Sequence, residues 1–240
     1  MSEIKHWQSR PLTQILAVIA GYLPLYLFAL WSHLSEKIIT LKELFLYPLL
    51  LGGGNVILVL VLYKYICGEP LSSFHLKPGK RITDIIVGIL LGFLSLGIMT
   101  LQTVIQSNIL PSTSSPPAPE FITLINGIAN NPLLAVIWLG PVVWIGVAMF
   151  EEITRVFMLN RLWKIWPRPF ARWIFLFISA FFFGLVHIYQ GPVNMVFVSV
   201  QGLMYGWYYL RYGRVWPLII AHGIFDSVQV LQIVMIFSNG

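Results

Sequence analysis

Six side chains that can hold or move a proton stand in apolar surroundings: Glu151, Glu152 and Arg155, then His187, then His222 and Asp226. Carboxylates can deprotonate water, imidazoles can share or pass on that proton, and protonated donors can stabilise an oxyanion. Their spacing is helical. Residues four apart on an α-helix lie about 40° apart around its axis, on one face. Glu151 and Arg155 are such a pair, as are His222 and Asp226, and Phe183 stands one turn before His187. A salt bridge built only to fix packing needs a single acid, whereas Glu151 and Glu152 leave one carboxylate over. Other routes to hydrolysis lack their residues: the chain has no His-Glu-x-x-His zinc signature, no Gly-x-Ser-x-Gly elbow and no pair of aspartates within its apolar runs.

The elements that must carry these groups are set by composition. The chain has 240 residues, 58% apolar and 10% charged, where a soluble domain carries about a quarter charged residues. A soluble enzyme, a nucleic-acid binder and a disordered regulator are thereby excluded, and the chain is expected in a bilayer. Its net charge of +6 is spread between apolar runs, as membrane topology requires, and its single cysteine, Cys67, allows no intramolecular disulfide. A membrane span needs about 20 mostly apolar residues. Seven stretches qualify: about 12–33, 44–66, 83–108, 132–160, 172–189, 193–210 and 215–237. Basic residues gather in the N-terminal tail (Lys5, Arg10) and the even loops: Lys64, Lys77, Lys80 and Arg81; Arg161, Lys164, Arg168 and Arg172; Arg211 and Arg214. The positive-inside rule then puts the N-terminus in the cytoplasm and the C-terminus outside.

The expected architecture is an all-α, polytopic membrane helix bundle of about seven transmembrane helices. Residues 1–240 form one integral membrane domain, with 132–237 as its catalytic core. The proline-rich run Pro111–Pro119 reads as an extended outer segment, and Phe121–Ile128 as a short interfacial helix. Gly202 and Gly206 form a small-xxx-small pair that suits helix packing. Charges cost about 2.5–3.5 kcal/mol each near the bilayer centre on insertion scales, so the six residues are expected to share one polar pocket. His187 tests that expectation, because helical rise puts it deeper than the others, about 20 Å from Trp173. Either a tilted fifth span or a turn sunk below the outer surface resolves the mismatch.

Three motifs in order carry a resemblance: Glu151-Glu152-Ile-Thr-Arg155, Phe183-Gly-Leu-Val-His187 and His222-Gly-Ile-Phe-Asp226. Over roughly residues 130–230 the chain resembles the CPBP intramembrane proteases, which include the type II CAAX prenyl endopeptidases and bacteriocin-processing or immunity-associated (Abi) proteins. Arg155 stands one residue closer to the glutamates than in that family's pattern. This turns it by about 100°, towards Glu151. The resemblance implies an intramembrane endopeptidase acting on a membrane-associated or lipidated peptide or protein. Glu151 would activate water, His187 would share that water, and His222 with Asp226 would hold the substrate carbonyl, Asp226 also orienting His222. Glu151, His187 and His222 also match the two-His, one-carboxylate set of zinc hydrolases, but the resemblance points to a metal-independent mechanism, and no cofactor is expected. The alternative is a non-catalytic membrane scaffold or immunity partner that keeps the fold, motivated by an Arg155 that would neutralise Glu151. The expected location is the cell membrane, as a multi-pass protein whose partners are its substrate and the bilayer, not nucleic acid.

Overall fold

The computed structural model describes residues 9–34, 40–74, 81–110 and 125–238, and among them every regular element is helical. Helix α1 is Pro11–Leu34. Helix α2 runs from Leu41 to Ile66, with ordinary α-helical turns at Leu41–Tyr47 and Gly53–Val61 and wide, π-type turns at Pro48–Gly52 and Leu62–Ile66. Helix α3 is Arg81–Asn108. Helix α4 runs from Pro132 to Ile165, with a wide-turned stretch at Trp138–Met149. Helices α5, α6 and α7 are Pro169–Leu185, Pro192–Tyr212 and Trp216–Ser238. Each stretch expected to span thus falls largely on helix, the fifth, 172–189, outrunning its helix by four residues. By length and composition Phe45–Ile66, Arg81–Asn108 and Pro132–Ile165 are long and apolar enough to cross a membrane, while Pro11–Leu27 and Pro169–Leu185 are apolar but shorter. Residues Pro111–Pro119 and the first part of Phe121–Ile128 lie outside the described residues; 125–129 are helical.

Helix α3 shows which way the bundle faces. Ile82, Ile86, Leu90, Phe93 and Leu94 are exposed, whereas Asp84, Gly88, Gly92 and Ser95 are buried. Its apolar side is outside and its small and polar side inside, the reverse of a water-soluble helix. Gly88 and Gly92 let α3 lie close against Ile220, Ala221 and Ile224 of α7. Helix α1 likewise exposes Leu12, Leu16, Ile19 and Leu23.

The second half of α4 is the axis of the bundle. Every residue from Glu152 to Leu159 is buried, so no face of this segment meets the surroundings. Pro141 causes the bend above it: proline has no N–H to donate and its ring crowds the preceding turn, so Gly140 leaves helical geometry (φ −94°, ψ −105°). The wide turns end at Met149, two residues before Glu151. Helix α2 crosses α4 where Gly52 meets Gly146; a Cβ on Gly146 would lie 2.8 Å from the Pro48 carbonyl, so the backbones touch without side chains between them. Asn55 ties three helices together, its Nδ2 donating to Thr154 Oγ1 (2.9 Å) on α4 and to the Gly21 carbonyl (3.1 Å) on α1.

Polar contacts settle which ends meet. Arg214, between α6 and α7, pairs with Asp84 at the start of α3. Lys164 and Arg161 near the end of α4 pair with Glu69, just past α2, and Arg161 also donates to Gln14 on α1. At the other end, Gln102 of α3 donates to Asn194 of α6 (3.0 Å). The bundle therefore has one end rich in Arg and Lys and one poor in them. Arg161 corrects the sequence reading, which placed it in a loop. Helix α4 continues to Ile165, and Arg161 is fully buried with its guanidinium 4.5 Å from the Tyr63 ring centroid. Nearby Glu69 and an aromatic face together make that burial tolerable.

Candidate active site

A cavity of about 500 Å³ lies inside the bundle, and Glu151, His187, His222 and Asp226 all line it. Glu152 and Arg155 stand behind that wall, both fully buried. The six residues come from α4, from the turn after α5, and from α7.

His222 is the hub. Its Nδ1 is 2.9 Å from Glu152 Oε1, and the carboxylate accepts this hydrogen bond. The other ring nitrogen, Nε2, lies 3.7 Å from Glu151 Oε2 and 3.4 Å from Asp226 Oδ2. Those two oxygens are buried and accept no hydrogen bond from the protein. Each is too far from Nε2 for good hydrogen-bond geometry, so the carboxyls flank the imidazole at the cavity wall with acceptor capacity unused. Burying such groups without partners is costly, and a site that binds a water or a substrate amide provides partners for them.

Glu152 is held from behind. Arg155 Nη2 pairs with Glu152 Oε2, and Arg155 Nη1 donates to the Gly202 carbonyl of α6 (3.1 Å). The guanidinium lies 5.5 Å from the Phe183 ring centroid and 5.4 Å from that of Tyr205. Tyr205 is itself fixed by a hydroxyl–hydroxyl bond to Ser95 on α3 (2.7 Å). Two expectations are corrected. Arg155 turns to Glu152, three residues before it, and not to Glu151, because Glu152 points into the interior where the Gly202 carbonyl and two aromatic faces receive the guanidinium. Glu152, and not Asp226, makes the close bond that orients His222. Gly202 and Gly206 do pack α6 against α5, at Phe183 and Leu176, and Gly202 supplies the arginine's acceptor as well.

His187 lies beyond the end of its helix. Helix α5 stops at Leu185, and His187 precedes a short 3₁₀ turn, Ile188–Gln190. The helix expected to reach 189 thus ends earlier, and His187, in the turn that follows it, lines the cavity. The ring is held by Nδ1 against the Phe183 carbonyl at 3.0 Å. Since a carbonyl only accepts, the neutral ring carries its proton on Nδ1 and its lone pair on Nε2. Phe183 stands between the imidazoles, 5.5 Å from the His187 ring and edge-on to His222 at 6.3 Å. The sequence offered Phe183 as a motif and spacing residue without this contact to both imidazoles, and gave no sign of the Ser95–Tyr205 bond, since neither residue stands out among many hydroxyls and rings.

Among the described residues no three His, Cys, Asp or Glu side chains come close enough together to hold a metal ion.

An all-helical bundle with apolar outer faces and an acid–imidazole centre inside it is the setting that proteolysis within a membrane requires. Residues 133–228, which hold all six site residues, match the sequence model of the type II CAAX prenyl endopeptidase Rce1-like family. No curated protein and no solved structure matches the chain.

Proposed function

We propose that the protein is a multi-pass intramembrane endopeptidase that hydrolyses a peptide bond in a membrane-associated substrate with water activated by Glu151. The reading is carried by one observation: Glu151, His187, His222 and Asp226, distant in sequence, line one internal cavity, with two carboxyl oxygens left without hydrogen bonds. Glu151 accepts a proton from a water while that water's oxygen bonds to the substrate carbonyl carbon. His187, whose neutral ring has its lone pair on Nε2, shares that water. His222 as an imidazolium donates through Nδ1 to Glu152 and through Nε2 to the developing oxyanion, with Asp226 beside it. Collapse of the tetrahedral intermediate breaks the C–N bond, and the proton held by Glu151 passes to the leaving amine. The low dielectric of the surrounding helices strengthens each of these interactions.

The seven helical stretches are read as seven crossings of the cell membrane, with the Arg- and Lys-rich end and the N-terminus in the cytoplasm. Apolar outer faces on α1 and α3 support that placement. The scaffold alternative loses its motive, because Arg155 pairs with Glu152 and leaves Glu151 at the cavity. The test is peptide release by the protein reconstituted in lipid vesicles, with and without a chelator. The parent is expected to cleave in both conditions and Glu151→Gln in neither. A variant that processes substrate like the parent defeats the proposal, and loss of cleavage with chelator defeats its metal-independent form.

A further inference from the structure

Helix α6 meets the hydrolytic centre with Gly202, Tyr205 and Gly206, which helical spacing puts on one face. Gly202 lends its carbonyl to Arg155, and Gly206 leaves room beside Arg155 Nη1, where a Cβ would lie 3.6 Å away. Tyr205 packs between them. Its ring centroid is 5.4 Å from the Arg155 guanidinium carbon and 6.3 Å from the centroid of the His222 ring. One ring thus borders both partners of Glu152. A phenylalanine would fill the same volume. The hydroxyl needs a reason of its own, because a buried O–H is costly without an acceptor.

That hydroxyl reaches Ser95, and the direction of the bond is fixed. The single proton on Ser95 Oγ goes to the Leu91 carbonyl (3.0 Å), which only accepts. Tyr205 therefore donates to Ser95 Oγ at 2.7 Å. Both residues are 1% exposed, so water does not compete for the bond. Ser95 lies on α3, which carries none of the six site residues, and it also lines the cavity. A run of fixed contacts leads from α3 through Tyr205 and Arg155 to Glu152 and His222. We propose that Tyr205 is a positioning residue for the hydrolysis, its bond to Ser95 holding the ring that keeps Glu152 and His222 in register. This rests on the peptidase reading above and adds a pair of residues to its support.

The molecule supplies its own control. Tyr63 donates in the same way to Ser73 (2.9 Å), whose proton goes to the Pro70 carbonyl (2.7 Å), and the Tyr63 ring bears Arg161. Neither Tyr63 nor Ser73 lines the cavity. Tyr205→Phe, Ser95→Ala, their double variant and Tyr63→Phe are compared in lipid nanodiscs. The readouts are peptide hydrolysis, the thermal unfolding midpoint and the nitrogen NMR signals of the His222 ring, assigned by their absence from His222→Ala. Tyr205→Phe and Ser95→Ala are each expected to lower kcat about fivefold, the worth of one hydrogen bond, with KM unchanged and the His222 signals displaced. The double variant should lose no more than either, since both remove the same bond. Tyr63→Phe should lower only the unfolding midpoint. If one single variant fails to fold, the other decides. The proposal is overturned if folded variants keep the parental kcat and His222 signals, if Tyr63→Phe moves those readouts equally, or if the losses multiply in the double variant. If the His222 signals move but the parent hydrolyses no peptide, the positioning of His222 stands and the peptidase reading falls. If the parent hydrolyses peptide and only the unfolding midpoints change, the positioning role alone falls.

Discussion

Two clusters of buried charge lie on helix α4 and differ in how their partners are used. Near its end, Arg161 is fully buried beside Glu69 (3.6 Å), donates to Gln14 Oε1 (3.2 Å) and rests on the Tyr63 ring, while Lys164 also pairs with Glu69. Higher on the helix, Arg155 and Glu152 form an equally buried pair, but Glu152 passes the constraint on to His222, whose far nitrogen faces Glu151 and Asp226 across a cavity. In the first cluster two cations share one carboxylate, so acceptors are scarce and cations abundant. In the second, three carboxyls surround one imidazole and two of their oxygens have no hydrogen bond. What sets the second cluster apart is thus not buried charge but carboxyl oxygens without hydrogen bonds at the wall of a cavity.

That contrast breaks first at His222. Removing the oxyanion donor with His222→Ala is expected to lower peptide hydrolysis about a thousandfold, some 4 kcal/mol of barrier, measured as kcat/KM in vesicles. Arg161→Met is the opposite case. Removing one partner of a buried ion pair costs about 3 kcal/mol or more, so the thermal unfolding midpoint should fall while any kcat retained by folded protein stays near the parent's.

Glu152→Gln tests the link between the pair and the hub. It keeps the shape and loses the charge, so kcat should fall by about tenfold to a hundredfold, the worth of a hydrogen bond to a charged group, with KM nearly unchanged. An altered KM with unchanged kcat would assign Glu152 to packing alone. The smallest effect is expected at Lys164, whose side chain is 48% exposed. Lys164→Ala should shift stability by less than about 1 kcal/mol, and a larger loss would make the end cluster one cooperative network.

Much of this was legible in the sequence because charge is scarce in it. With so few ionisable residues inside apolar runs, Glu151, Glu152, Arg155, His187, His222 and Asp226 stood out, and helical spacing grouped them correctly by element. Which partner each would choose was not legible. Spacing put Arg155 within reach of both glutamates, and the choice fell to Glu152 because Gly202 and Tyr205, from another helix, make the receiving site. Arg161 was misplaced for a related reason: basic residues near a span end read as loop, and nothing local announces that Glu69, Gln14 and Tyr63 will enclose one of them. The end of α5 at Leu185 was also hidden, since Val186 is as apolar as the residues before it.

The account depends on the Glu151 carboxylate taking a proton from water in the cavity. The most direct test is the rate of peptide-bond hydrolysis by Glu151→Gln in lipid vesicles, set beside the parent at matched thermal unfolding midpoints. A fall of about a thousandfold or more, with peptide binding retained, is the expected result, since an amide cannot serve as the base. Hydrolysis at the parental rate by the folded variant would contradict it.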